Sequence, residues 1–276
     1  MTKKLNLAPD TRLDDSEMEK MLRNHAHWEN KAKKFKSSSD VSWEDKLMMG
    51  LEIKAVTDYL RPDTLVLDAG CSNGASTFKI ADMIRTRIQA FDYSASAVAI
   101  AREQQPLEDP DGRITFSLGN ILNIDELDNQ FDAAYTIRVI INLTSWRLQQ
   151  QAILQVHRVL KPGGIYLMSE AFKGSLAKLN SLRSLAGLKT LKEPDFNLYL
   201  QEKDLEAFLE PNFKIETIRR FSSIYYVGSR FFRYLTMNPG DQDSFDNDVN
   251  RYFAEFRETA NAGDFGIQKL YILRKR

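Results

Sequence analysis

From Thr64 to Ser169, short apolar runs alternate with amphipathic helical segments, and that alternation leaves few folds open to the chain. Thr64 to Asp68, Ile88 to Asp92, Ile114 to Leu118, Phe131 to Ile137 and Ile165 to Ser169 read as strands. Ala75 to Arg85, a segment N-capped by Ser94 and another capped by Ser145 place apolar residues at helical spacing between them. Strands fed through helices imply a mostly parallel, doubly wound α/β sheet covered on both faces. Phe213 to Ile218 and Ile267 to Leu273 add two late strands, which makes seven.

Around this frame the chain is less regular. Residues 1–40 are charged and poor in apolar side chains apart from a helical-looking patch with Met18, Met21, Leu22 and Trp28, and read as a loosely ordered arm before a domain spanning 41–276. Trp43, Leu47, Leu51, Ala55 and Tyr59 recur at helical spacing before the first strand. Trp43, Glu44 and Asp45 open that helix, where a capping role and a contact with a bound ligand both stay open. After the fifth strand, 171–200 holds a helix outside the alternation, and 229–264 is too long for a hairpin turn, with a helix expected over Val249 to Thr259. Both segments read as helical cap insertions over a ligand site.

The stretch Val66-Leu67-Asp68-Ala69-Gly70-Cys71-Ser72-Asn73-Gly74-Ala75-Ser76-Thr77 runs from a strand through a glycine-bearing loop into a helix. It therefore lies at the carboxyl edge of a parallel sheet, where such folds bind ligands. Glycines let a ligand approach the backbone, and the helix start offers unpaired N–H groups. Counted from Gly70, the third position is Ser72 and the sixth Ala75, so only a degenerate dinucleotide fingerprint survives. No Lys-Ser or Lys-Thr pair follows the glycines, which argues against a nucleotide hydrolase.

With Asp92 ending the second strand and Leu160-Lys161-Pro162-Gly163-Gly164 preceding the fifth, the region from Leu60 to Glu170 resembles the class I S-adenosylmethionine-dependent methyltransferases. The resemblance implies a Rossmann-like fold with S-adenosyl-L-methionine as cofactor. It assigns the methionine and ribose portions to the loop of Gly70, Ser72 and Gly74, with Asp68 near the methionine amino group. By the same resemblance Asp92 takes both ribose hydroxyls, Tyr93 lies against the adenine, and Asn120 and Ile121 follow the third strand where an aspartate is common in the family. Thr136 and Arg138, after the fourth strand, are expected to face the sulfonium and the methionine tail.

Lys plus Arg and Asp plus Glu each total 38, so no net charge steers the chain to nucleic acid or an anionic membrane. One cysteine, Cys71, leaves no internal disulfide or multi-cysteine metal site and suits the cytoplasm. No signal peptide or membrane span is expected, no metal site is assigned, and a homodimer is compatible with the sequence. The cap carries basic runs, including Arg183 and Arg230, beside Phe221-Ser222-Ser223-Ile224-Tyr225-Tyr226, a mixture suited to a polar anionic small molecule. The expected activity is methyl transfer to a sugar phosphate, nucleotide sugar or carboxylate, on oxygen in preference to nitrogen, with Arg183 or Arg230 holding the acid. Glu170, Tyr225 and Tyr226 are the candidate bases, Glu170 first because it ends the fifth strand. Methylation of RNA or protein, a non-catalytic cofactor-binding protein and a nicotinamide-dependent oxidoreductase are the competing readings.

Overall fold

A computed structural model describes residues 13–256 and 263–276. The strands are β1 (Leu65–Ala69), β2 (Arg87–Asp92), β3 (Ile114–Leu118), β4 (Phe131–Ile137), β5 (Leu160–Ala171), β6 (Phe213–Arg219) and β7 (Gln268–Lys275). They form one sheet in the order β3-β2-β1-β4-β5-β7-β6. β1 to β5 pair in parallel, and β7 runs antiparallel between β5 and β6. Strand order reverses between β1 and β4, and the crevice outside their carboxyl ends is where this class of sheet holds ligands.

Central strands are buried on both faces, as crossover helices require: β4 has Ala134, Tyr135 and Thr136 wholly enclosed. Their polar atoms pair inside the core, with Thr136 Oγ1 2.9 Å from the Tyr166 hydroxyl. The flanking helices are α2 (Lys46–Thr57), α3 (Ala75–Met83), α4 (Ala95–Glu108) and α5 (Trp146–Val159). Ser94 and Ser145 cap α4 and α5, each accepting from the backbone N–H three residues on.

The segment read as a loosely ordered arm contains a 21-residue helix, α1 (Asp15–Phe35). Its start is a capping box: Asp14 accepts from the Glu17 N–H at 2.7 Å while Glu17 reaches back to the Asp14 N–H. Only Met21 and Ala32 of α1 are fully buried, so polar contacts do much of the docking. Glu29 accepts from the hydroxyls of Ser94 (2.7 Å) and Ser96 (2.5 Å), and Asn24 donates to the carbonyls of Asn142 and Phe196. The helical-looking patch of Met18, Met21, Leu22 and Trp28 lies within α1, but so sparse an apolar stripe does not mark a docked helix.

The two insertions lie over the carboxyl edge of the sheet. The first holds α6 (Lys173–Leu185) and a loop that returns to pair Leu200 with Phe172 before α7 (Glu202–Leu209). Leading into the second, α8 (Ser223–Val227), a π-helical turn (Gly228–Phe232) and α9 (Arg233–Thr236) follow without a break, and α10 (Asp248–Glu255) comes before β7. The helix expected over Val249 to Thr259 is described only as far as Glu255, and 257–259 lie outside the described residues.

Candidate functional site

The glycine loop is bent by its own backbone bonds. The N–H groups of Gly70 and Cys71 both donate to the Phe91 carbonyl, at 2.8 and 2.9 Å, which folds the loop back against β2. Gly70 has φ of +101°, and a β-carbon there would lie 2.4 Å from Val139 Cγ2, so only glycine lets the loop meet the end of β4. Gly74 serves a different purpose. A β-carbon on it would meet Phe78 and Phe116 at 2.8 and 3.0 Å, so it admits core aromatics beneath the loop and is not on the cleft wall.

Ser72 sits between them with φ of +51°, a strained value for a residue with a β-carbon. It is held there by Asp92, whose Oδ2 accepts from the Ser72 N–H at 2.8 Å, while Oδ1 accepts from the Ser94 N–H at the same distance. Each carboxylate oxygen therefore retains a lone pair. Burial pushes the Asp92 carboxyl up to about 6 against the lowering effect of those two N–H groups, and Glu29 nearby raises it further.

These residues border a cleft of about 470 Å³ at the carboxyl edge of the sheet. Its wall can be followed across the strand ends. Asn120 and Ile121 follow β3, Asp92 and Tyr93 end β2, Gly70 and Ser72 follow β1, and Arg138 follows β4. Beyond them, Tyr226, Arg230, Phe245 and Gln268 line the end nearest β7, and Leu191 to Tyr199 of the first insertion close one side. Among the described residues no cluster of His, Cys, Asp and Glu is placed to hold a metal ion.

Nine of the expected site residues thus meet on one cleft wall: Gly70, Ser72, Asp92, Tyr93, Asn120, Ile121, Arg138, Tyr226 and Arg230. Arg138, with φ of +57°, donates from Nε to the buried Glu52 at 3.0 Å and lies over the Trp43 ring. Arg230 donates from Nη2 to buried Asp45 at 2.7 Å, with Tyr226 and Phe245 against its guanidinium. Its Nη1 is buried with no hydrogen-bond partner.

Six of the expected residues lie off that wall. Glu170 is fully buried: Oε1 accepts from the N–H groups of Val139 and Ile140 (both 3.1 Å) and Oε2 from Ile141 (3.3 Å). Burial raises its carboxyl to about 7, partly offset by those N–H groups, so it anchors the turn after β4 and faces no acceptor. Tyr225 spends its hydroxyl on Asp45 at 2.6 Å. Arg183 donates to the carbonyls of Lys189 and Arg230 and braces the cap from within. Asp68 lies beneath the loop, receiving Thr77 and Tyr135 hydroxyls at 2.6 and 2.8 Å, and burial raises its carboxyl to about 7. Thr136 is enclosed against Tyr166, and Gly74 packs on aromatics as described.

Sequence reasoning missed the contribution of α1. Met21, Asn24, Trp28 and Lys31 line the cleft at intervals of three, four and three residues, which is one helical face. That spacing was available to be read, but its mixture of polar and apolar members is not an ordinary core stripe. The three histidines are elsewhere: His25 lies edge-on to Tyr93, His27 stacks on Phe196, and His157 packs on Phe213.

Residues 66–164 match the family described as a methyltransferase domain. Over 105 residues the chain is 28% identical to the O-methyltransferase cnsE of Penicillium expansum, covering 38% of this chain and 37% of that one. Over 104 residues it is 35% identical to a protein of Mycolicibacterium smegmatis named as a probable S-adenosylmethionine-dependent methyltransferase, again covering 38% and 37%. The matched part is thus little more than a third of either relative's length. The fold is also that of geranyl diphosphate C-methyltransferase from Streptomyces coelicolor, solved with magnesium, geranyl diphosphate and S-adenosyl-L-homocysteine. That likeness has a TM-score of 0.59 at 14% identity and covers 93% of this chain and 98% of that one. With the glycine loop, the acid-ended second strand and the sheet order, residues 66–164 form a methyltransferase domain similar to those of the class I S-adenosylmethionine-dependent enzymes.

Proposed function

We propose that the protein transfers the methyl group of S-adenosyl-L-methionine to a small anionic molecule, on oxygen in preference to nitrogen. The observation that carries this is the order of chemistry along one cleft. Asn120, Ile121 and Tyr93 line one part of it, followed by a carboxylate with spare lone pairs at Asp92, then by bare backbone at Gly70 and by the cationic groups of Arg138 and Arg230. Those residues fit the cofactor: Asp92 has acceptors for two ribose hydroxyls, and Gly70 presents no side chain to the approaching molecule. When bound, the cofactor supplies a methyl group on a sulfonium, a good leaving group.

The protein's part is then to position the acceptor and exclude water. Of the three candidate bases only Tyr226 borders the cleft, and its hydroxyl is bonded to Gln268. Burial holds that phenol above its ordinary range and so keeps it protonated, with no phenolate free to take a proton. An acceptor oxygen that is already ionised needs no base, which favours a carboxylate or another acidic group. The unpartnered Nη1 of Arg230 is suited to hold such an anion, since a buried guanidinium donor left unbonded is costly. The likeness to O-methyltransferase cnsE supports oxygen as acceptor. A lone buried cysteine accords with a cytoplasmic setting, and among the described residues no helix is long and apolar enough to cross a membrane.

Incubation with methyl-labelled cofactor and a metabolite extract should place the label in a small acid. Arg230→Lys, which keeps a charge for Asp45 but loses the forked donors, should raise the acceptor's KM about tenfold or more while leaving cofactor affinity unchanged. Label confined to RNA or protein, or equal effects on acceptor and cofactor, would refute the substrate assignment.

A further inference from the structure

Besides Lys192 of the first insertion, the cleft wall holds two charged side chains that the reading above leaves without a task. Lys31, on the last turns of α1, and Glu44, just before α2, both border the cleft. Neither forms a hydrogen bond or ion pair among the described residues. The Lys31 ammonium lies 5.4 Å from the Trp28 ring centroid and 5.8 Å from that of Phe35. Burial lowers its pKa, and the Glu44 carboxylate, the next largest influence, offsets part of that. The two charges therefore feel one another but stand too far apart to pair.

Their place along the cleft follows from the strand order. Asn73 donates from Nδ2 to the carbonyls of Lys36 and Ser38, which ties the chain after α1 to the glycine loop. Arg138 donates to the Ser42 carbonyl at 3.3 Å, which ties the approach to α2 to the end of β4. Lys31, between the Glu29 contact with Ser94 after β2 and the Asn73 tie after β1, and Glu44, beside the Arg138 tie after β4, consequently border the cleft around the end of β1, with Tyr93, Asn120 and Ile121 toward β2 and β3. A nucleoside whose ribose is held at Asp92 and whose base lies toward β3 must send its remaining atoms toward β1 and β4. In S-adenosylmethionine those atoms are an amino acid, with a carboxylate and an ammonium on one carbon.

We propose that Lys31 and Glu44 form a clamp for that zwitterionic tail, Lys31 taking its carboxylate and Glu44 its ammonium. This rests on the cofactor reading above and deepens it. An unpaired cation and an unpaired anion facing one space complement a zwitterion, whereas a purely anionic acceptor there would be repelled by Glu44. Because Lys31 is supplied by α1, binding of the tail also fastens that helix over the cleft.

Calorimetry on the full chain with S-adenosylhomocysteine and with methylthioadenosine separates the possibilities, since the second ligand keeps the adenosine and the sulfur but has no amino acid. Lys31→Ala and Glu44→Gln should each weaken S-adenosylhomocysteine about tenfold or more. Both should leave methylthioadenosine within about twofold of the unaltered protein, and Lys31→Arg should retain most of the affinity. Unchanged S-adenosylhomocysteine affinity in both variants, or equal losses for the two ligands, overturns the clamp. Failure of the unaltered protein to bind either ligand would instead refute the cofactor site itself, and the clamp with it.

Discussion

Glu170 ends β5 at the ligand edge of the sheet, yet its oxygens face the backbone of residues 139–141. Strand position places a Cα. Which way a carboxylate turns depends on which donors are stranded nearby, and the turn after β4 leaves three N–H groups without another partner. An anchoring role and a catalytic role predict different mutants. Glu170→Gln keeps an oxygen for Val139 and Ile140 and should lower turnover only a few-fold, with stability down by about 1 kcal/mol. Glu170→Ala strands all three donors and should cost about 3 kcal/mol, measured by urea melts. A fall in turnover of a thousandfold or more in a well-folded Glu170→Gln would restore it as the base. The contrast with Asp92 shows what was legible: an acid in the last position of β2 lies beside the glycine loop in any such sheet, because the register pairs Phe91 with Ala69.

At the scale of elements, α1 is the part of the site that periodicity did not reveal, because its apolar stripe is thin and its attachments are side-chain hydrogen bonds. Glu29 accepts from Ser94 Oγ, Ser96 Oγ and the Ser96 N–H, joining α1 to the start of α4 close to Asp92. Glu29→Ala should loosen α1, weaken S-adenosylhomocysteine about five- to tenfold, and hasten proteolytic cutting between α1 and α2 in the ligand-free protein. Saturating ligand should slow that cutting if α1 closes the cleft; cutting that is indifferent to ligand would show that α1 is not part of the closed site. The insertions behave similarly. Their helices could be placed approximately from spacing, but the continuous run from α8 through the π-helical turn to α9 could not, since its buried positions are mostly polar, Ser229, Arg230 and Arg233 among them.

For the molecule as a whole, four buried carboxyls are held above their ordinary range, each chiefly by burial: Asp68 and Glu170 at about 7, Asp92 at about 6, and Glu52, whose rise the Arg138 guanidinium partly offsets. Free carboxyls ionise near pH ~4, so between there and the folded values the native chain holds protons that the unfolded chain has released. Stability must fall as pH rises through that window. The ligand-free protein should therefore melt higher at about pH 6.5 than at about pH 8. Below about pH 6.5 the trend should flatten, because burial lowers the pKa of His27 and His157 and the unfolded chain then binds more protons there. S-adenosylhomocysteine at about a hundred times its Kd should add roughly 2.7 kcal/mol, a rise of about 5 °C or more, and the rise should shrink as Asp92 takes up a proton below about pH 6. A melting point that climbs from about pH 6.5 to pH 8 without ligand would contradict these buried acids.

The amino-acid order alone determined the doubly wound sheet, the position of the glycine loop at its ligand edge and the acid beside it. Those features depend on local periodicity and on residues adjacent in the chain. Only the tertiary structure decided which polar side chains face the cleft and which are spent inside the protein. Asp68 and Glu170 read as well as Asp92 on paper, but buried donors 9 to 67 residues away in the chain claim them first. Lys31 and Glu44 stay unclaimed for the converse reason: packing turns both toward the cleft and leaves their charges too far apart to satisfy each other.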